Sequence, residues 1–566
     1  MKYFILPILL IFFWQTLMAQ SSINFPPKKY PNSFRNPLAT PFSLVGNVGE
    51  CRPNHFHSGI DVRTDGKENK NVYAIEDGYV SRVHIEAGGF GNAIYINHVG
   101  GYTSVYAHLN TFFPKLEEYV RKKQYEAETW AIDLTFYPDQ FIVRKGSFIA
   151  LSGNTGSSQG PHLHLEIRNA KTEAPLNPLL FFNEIEDDIR PIVKQLAIYD
   201  ARKSIYEQSP SLHKISGGLI AKKVIEVSTD KVYFGIVADD FMKIATGTLG
   251  VYEMRLYVDN RPTFAWQMDN ISYDITRYMN AHADYRARKN NGPWIQLCTQ
   301  LPNDRLTIYK TATPDRGVVD LSDGAVKEIR IEVYDTKFNK NTLLFSVKGI
   351  QNSTAINCSK EFVAGKTNVF KNDYLSFSLS EDALYDNICF RTSIGPGSNE
   401  YTYLYQIHEN EVPLHSYFDL QLKPKKEIPA LYKSKVALVL SKKANGVLAK
   451  KGIAANMVNG QVVASVREFG TYEISIDQAP PVITSRLQDK MNISKEKVLY
   501  FTIKDAITSV KKCTATVDGQ WVRLVQKGPT YYYEIDKYFP VGSHQLKITA
   551  TDENNNTSEK YYTLIR

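Results

Sequence analysis

Histidines and one aspartate between residues 57 and 166 carry the chemistry legible in this sequence. His57-Ser-Gly-Ile-Asp61 sets an imidazole and a carboxylate four residues apart, with a glycine between them. Tyr106-Ala-His108-Leu109 supplies another imidazole, and Gly160-Pro-His162-Leu-His164-Leu-Glu166 supplies two more at alternate positions. Side chains alternate faces along a strand. A strand over residues 161–167 therefore points His162 and His164 the same way and turns Leu163 and Leu165 into a core. Two imidazoles side by side call for a cation. Catalytic zinc commonly takes three protein ligands of His and carboxylate type and keeps a fourth position for water. His57, Asp61 and one member of the His162/His164 pair make such a set. Zinc lowers the pKa of its water to about 7 and polarises a carbonyl, which is the chemistry of amide hydrolysis. That reaction also needs a donor for the developing oxyanion and an acid for the leaving amine. His108 and the remaining histidine of the pair are available for those tasks. Glu166 shares the strand face of His164 and either orients a ligand or makes a surface salt bridge. His55 and His84 read as solvated or incidental, and His213, His408 and His544 have no pattern around them.

The elements that must hold these residues are mostly strands. Residues 78–83 and 92–97 are rich in β-branched and aromatic residues, with Gly88, Gly89 and Gly91 marking the turn between them. Residues 114–130 break this rhythm. They are charged and helix-forming, with Leu116, Tyr119, Val120 and Lys123 at helical spacing, and strand-like text returns over 131–143. The whole stretch 114–143 reads as an insertion that acts as a surface lid or packing element, substrate gating being the functional alternative. Behind residue 187 the text stays β-rich. A faint repeat is present there: the alternating run 329–333 ends in Tyr334-Asp335 and a polar turn over 337–341, and the run 546–550 ends in Asp552 and a polar turn over 553–557. Such endings suggest Ig-like sandwiches. The expected fold class is all-β dominated: an antiparallel β-sheet domain with a helical insertion, followed by β-sandwich modules. The expected segments are a signal peptide at 1–19, an extended proline-rich arm at 20–43, the histidine-bearing domain at 44–186, an Ig-like module at 187–349, a β-rich domain of unassigned topology at 350–478 and a last Ig-like module at 479–566.

Taken together and in order, H-x-x-x-D, Gly89-Phe-Gly-Asn92, Ile96-Asn-His98, Tyr106-Ala-His108-Leu109, Ser152-Gly-Asn-Thr-Gly156 and G-P-H-L-H-x-E resemble the lysostaphin/LytM family of zinc endopeptidases. The resemblance covers about residues 44 to 182. It implies zinc ligation by His57, Asp61 and His164, with His108 and His162 assisting catalysis and His98 structural. It also implies hydrolysis of peptide bonds in peptidoglycan stems or cross-links by attack of zinc-activated water. Some LytM-like domains instead activate other cell-wall hydrolases without catalysis. Those typically lack ligands that this sequence keeps. A structural or adhesive surface protein is the third class weighed.

The remaining composition narrows the setting. A chain of 566 residues exceeds one core, so about three or four domains are expected. The formal net charge of +8 is spread along the chain with no dense Lys/Arg cluster, which argues against a nucleic-acid partner. Lys2, the apolar run 3–18 and Ala19 have the form of a secretory signal, so export to the periplasm, the envelope or the medium is expected, with no membrane span after its removal. The five cysteines include no C-x-x-C, and Cys358 and Cys389 are the nearest pair for a disulfide. The expected partners are peptidoglycan peptides and, for the rear modules, an envelope protein.

Overall fold

The computed structural model of the protein describes residues 23–566 apart from 27, 29, 32, 216–223, 351–357 and 445–446. The expected signal segment lies outside these residues. Strands dominate the chain, as its composition implies. The front domain is built on a sheet with nine strands among the described residues. Its main path runs Leu44–Gly46, Ile60–Arg63, His162–Asn169, Tyr102–Ala107, Asn92–His98, Gly78–Ile85 and Ile132–Thr135, each pair antiparallel. The strand His162–Asn169 shows why alternation matters. Leu163, Leu165 and Ile167 are wholly buried in the core, at roughly 1.5–3 kcal/mol per large apolar side chain. That burial commits His162, His164 and Glu166 to the opposite face. The register sets His164 opposite Asp61 on one side and Ala107 on the other.

A second sheet, Asn71–Tyr73, Phe148–Ser152 and Leu109–Phe112, lies alongside. The chain passes from one sheet to the other at His108, whose φ is 60°. Histidine is among the side chains enriched in this left-handed region. The insertion is a packing element. Its helix, Pro114–Glu126, begins with proline in the first turn and buries Leu116, Val120 and Gln124. Ile132–Thr135 and Ile142–Val143 then extend the main sheet along Gly78–Ile85. On its outer side Tyr125 stacks on Tyr538 at 4.1 Å and meets Trp521 at 5.1 Å, which fastens the last module to the front domain.

The rear of the chain consists of two-sheet units. Sheets of five and six strands occupy 192–349, two of five strands occupy 368–476, and sheets of four and five strands occupy 482–565. Apolar residues from Val193 to Val347 and from Phe362 to Ile474 form one continuous cluster, while the front domain and the last unit have clusters of their own. Met242 and Leu249 of the second unit pack into the front core. The proline-rich arm bridges the same two units: Tyr30 stacks on Phe181 at 4.4 Å and donates to Asp269 at 3.0 Å. Cys358 and Cys389 form a disulfide, and Cys51, Cys298 and Cys513 are free. No helix among the described residues is long and apolar enough to cross a membrane.

Candidate metal centre

His57, Asp61 and His164 converge on one buried point. His57 Nε2 lies 3.0 Å from Asp61 Oδ1 and 3.0 Å from His164 Nδ1, and His164 Nδ1 lies 2.9 Å from Asp61 Oδ1. The far side of each ring is already engaged. His57 Nδ1 donates to the Asn47 carbonyl at 2.9 Å, and His164 Nε2 donates to Glu166 Oε1 at 3.2 Å. These bonds fix the tautomers, so two ring lone pairs and a carboxylate oxygen face one another. Three acceptors at this spacing, all from residues less than 5% exposed, repel unless a cation or a proton sits among them. The donor types and their number are those of a catalytic zinc site, and the residues present fit that ion. Burial pulls the His164 pKa down, but hydrogen bonds to Asp61 and Glu166 outweigh it and raise it to about 9. Burial likewise opposes ionisation of Asp61, yet the facing histidines hold it well below the usual carboxylate range.

Local sequence explains the convergence. Gly59 passes so close to the neighbouring strand that a Cβ there would lie 2.5 Å from Leu165 O and 3.0 Å from His164 Cε1. The glycine between His57 and Asp61 is therefore a packing requirement. The other oxygen of Asp61 accepts from Arg52 at 2.7 Å, and Arg52 also pairs with Glu50 at 3.3 Å.

His108 and His162 flank the triangle. Their rings lie 4.8 Å apart, and His108 is 5.8 Å from the ring of His164. Each is anchored through Nδ1 to a backbone carbonyl, His108 to Thr155 at 2.9 Å and His162 to Gly160 at 2.8 Å. Nε2 of each is left for a substrate, and that of His162 is 3.4 Å from Asp61 Oδ1. Burial and the neighbouring rings of His164 and His162 pull the His108 pKa down to about 3, so it is neutral at physiological pH. His98 is buried elsewhere, bonded to Asp77 O at 2.9 Å and Ser104 Oγ at 2.7 Å. His55 and His84 stay outside the triangle: His55 bonds Pro53 O at 3.0 Å, and His84 lies 3.5 Å from Glu86.

Glu166 is a buried hub, not a surface ion pair. It is fully covered and accepts from His164, from Arg168 Nε at 2.7 Å, and from the hydroxyls of Ser58 and Tyr273. Burial opposes its charge, but Arg168, His164 and Ser58 prevail and lower its pKa to about 2. Tyr273 belongs to the second unit. Its hydroxyl also reaches Ser58 Oγ at 2.8 Å, and the Arg168 guanidinium lies 4.8 Å from its ring centre. Sequence reading missed Asn47, Arg52, Arg168 and Tyr273. Asn47 acts through its backbone carbonyl, which no residue pattern reports. Arg52 and Arg168 lie within reach of the motifs, and two arginines so near paired carboxylates were a usable signal. Tyr273 had none, being 107 residues from Glu166.

An antiparallel β domain with a His-Asp-His triangle and two flanking histidines defines a metallopeptidase-type site. Residues 55–130 match the model of peptidase family M23, so the front of the chain is an M23 peptidase domain, in line with the resemblance read from its motifs. Residues 359–477, whose topology the sequence left unassigned, match the model of a Zu5-like domain. A protein named as an uncharacterized metalloprotease, from Haemophilus influenzae, is 32% identical over 152 residues, which is 26% of this chain and 26% of that protein. DD-carboxypeptidase/endopeptidase Mpg of Neisseria meningitidis serogroup B is 33% identical over 125 residues, 22% of each chain. The chain thus matches about a quarter of the length of these curated relatives. The catalytic domain of the antimicrobial peptidase lysostaphin from Staphylococcus simulans shares 23% identity with 25% of this chain and 91% of its own, at a TM-score of 0.18.

Proposed function

We propose that the protein is an exported zinc-dependent endopeptidase that cuts peptide bonds in peptidoglycan stems or cross-links. The observation that carries this reading is the triangle of three acceptor atoms, each 2.9–3.0 Å from the others, whose tautomers are set from behind. His57 Nε2, His164 Nδ1 and a carboxylate oxygen of Asp61 would hold the zinc. When bound there, zinc supplies Lewis acidity toward a peptide carbonyl and acidifies water. The chain's own groups handle the protons. His108, kept neutral, accepts at Nε2 the proton of the attacking water and returns it to the leaving amine. His162, when protonated, donates from Nε2 to the carbonyl oxygen as charge develops there. Arg52 holds Asp61 in one orientation, and the Glu166 hub holds His164, so the ligands are set before substrate arrives.

Export is supported by the signal-like first residues and by the Cys358–Cys389 disulfide, a bond that persists in oxidising compartments. The rear units are proposed to position the enzyme on the envelope or to bind an envelope protein. Zinc content and hydrolysis of purified sacculi, with products identified by mass, test the reading. Wild type should contain one zinc and release cut peptides. A zinc-loaded protein that leaves every sacculus intact would mean a non-catalytic activator instead.

A further inference from the structure

The repeat seen in the sequence has a structural counterpart that the peptidase site does not use. Asp187, Asp240 and Asp335 form one carboxylate triad, and Asp477, Asp505 and Asp552 form another; in each, one ligand-type atom per residue lies within 4.8 Å of the others. The two are built alike. The first member of each lies on the segment entering a two-sheet unit. The second follows an early strand of that unit, Lys231–Asp239 or Val498–Lys504. The third stands at the hairpin before the last strand, Lys340–Gly349 or Thr557–Ile565. An asparagine four residues on clamps the third aspartate to the entering segment. Asn339 Nδ2 donates to Asp335 Oδ2 at 2.7 Å and to the Asp187 carbonyl at 3.0 Å. Asn556 Nδ2 donates to Asp552 Oδ2 at 2.7 Å and to the Asp477 carbonyl at 2.9 Å.

Acidic clusters alone are common, but these two carry buried oxygens with nothing to bind. Asp240 is 3% exposed and its Oδ1 has no hydrogen-bond partner; Asp477 is 0% exposed and its Oδ1 has none. Asp187 Oδ2 and Asp505 Oδ2 are unpartnered as well. Among the described residues none of the six carboxylates forms an ion pair with Lys, Arg or His. The other oxygen of Asp477 accepts from Thr508 Oγ1 at 2.7 Å, but a buried carboxylate with no counter-charge is costly, and a buried oxygen without a hydrogen-bond partner occurs in both triads. Burial and the neighbouring Asp335 push the Asp240 pKa up to about 8, and burial raises that of Asp187 to about 6, with Asp335 adding to it.

We propose that each triad is a calcium site that fastens the entering segment to the unit behind it. The donors are oxygen only, with no imidazole or thiolate, which selects a hard cation. They come from three separate segments, an irregular frame that calcium accepts with its 6–8 oxygen ligands and that magnesium, with its strict octahedron, does not favour. Bound ions would set the angle between the front domain and the second unit at Asp187, and between the Zu5-like region and the last unit at Asp477. The inference stands apart from the zinc reading, because it concerns different residues and a different ion.

The test uses the full chain, stripped of divalent ions and reloaded with one equivalent of zinc. Equilibrium dialysis against radioactive calcium should show two further equivalents bound, with affinities on the order of 10⁻⁴–10⁻³ M or tighter, as in extracellular calcium modules. Asp240→Asn should remove one equivalent, Asp505→Asn the other, and the double variant both, with zinc content unchanged. No calcium retained by the wild type at about 5 mM would overturn the proposal, and this arm needs no variant to fold. Two equivalents persisting in the double variant would overturn it too. If shared protons stabilise the triads instead, wild type binds no calcium and Asp240→Asn raises the thermal midpoint equally with and without the ion.

Discussion

Two buried carboxylates, Glu166 in the front domain and Asp240 in the second unit, have pKa values displaced in opposite directions. Glu166, wholly covered, is held down at about 2 because Arg168, His164 and Ser58 overcome the effect of burial. Asp240, almost as covered, is driven up to about 8 because burial and Asp335 act together and no cationic side chain answers them. The residue chemistry is the same; the counter-charges differ. At the candidate metal centre the outward atoms of His57, Asp61 and His164 have partners within the chain, and the atoms these residues turn toward one another are two nitrogens and an oxygen. At the junction triads backbone N–H groups, Asn339, Asn556 and Thr508 donate to several of the carboxylate oxygens, but among the described residues no cationic side chain pairs with them, and the ligand-type atoms that face one another are oxygens alone. Donor type then sorts the ions, a borderline-soft cation for the first and a hard one for the second.

Substitutions at the two kinds of site test this contrast. The largest effect is expected from His57→Ala or His164→Ala: zinc content and peptide hydrolysis should be lost together, by metal analysis and product mass. Hydrolysis retained in either variant would end the assignment of that residue as a ligand. His108→Ala should keep zinc but lower kcat by about 10²–10⁴-fold, the range for a general acid–base group; equal loss of metal would make it structural. Glu166→Gln should weaken zinc binding by roughly 10–100-fold, as outer partners of ligand histidines do, read by competition with a chromophoric chelator. Tyr273→Phe keeps the ring under Arg168 and removes only the hydroxyl, so a loss of about tenfold or less in zinc affinity is expected. No change would show that the second unit contributes contact but no ligand positioning. The smallest effect is a pH trend at the triads. A carboxyl whose pKa is raised on folding stabilises the fold below its unfolded value near 3.8 and loses that contribution as pH rises through about 8. In chelator, the thermal midpoint of the rear units should fall across that window. Calcium should flatten the slope, and Asp240→Asn should flatten it without calcium.

The front domain was largely legible because its side chains repeat short-range rules. Alternation along 161–167 put His162 and His164 on one face, and the leucines between them are the buried ones. The helix at Pro114–Glu126 followed from the spacing of Leu116 and Val120. That this helix is a seat for the last module, through Tyr125 and Tyr538, was not legible, since the contact joins residues 413 apart in number and neither segment marks its partner. The same holds for the shared core of the second unit and the Zu5-like region, which the sequence divided near residue 350.

Residue types and short spacings carried the donor set, the strand positions of His162 and His164 and the glycine between His57 and Asp61, because these are read from neighbours a few residues away. Packing and strand register settled which histidine nitrogen faces the centre, why Gly59 must lie against Leu165 and His164, that Glu166 is buried among His164, Arg168, Ser58 and Tyr273, and that Tyr273 reaches the site from another unit. Those facts depend on the register between strands and on packing between units, where residues distant in the chain acquire the charges and hydrogen bonds that set each other's state.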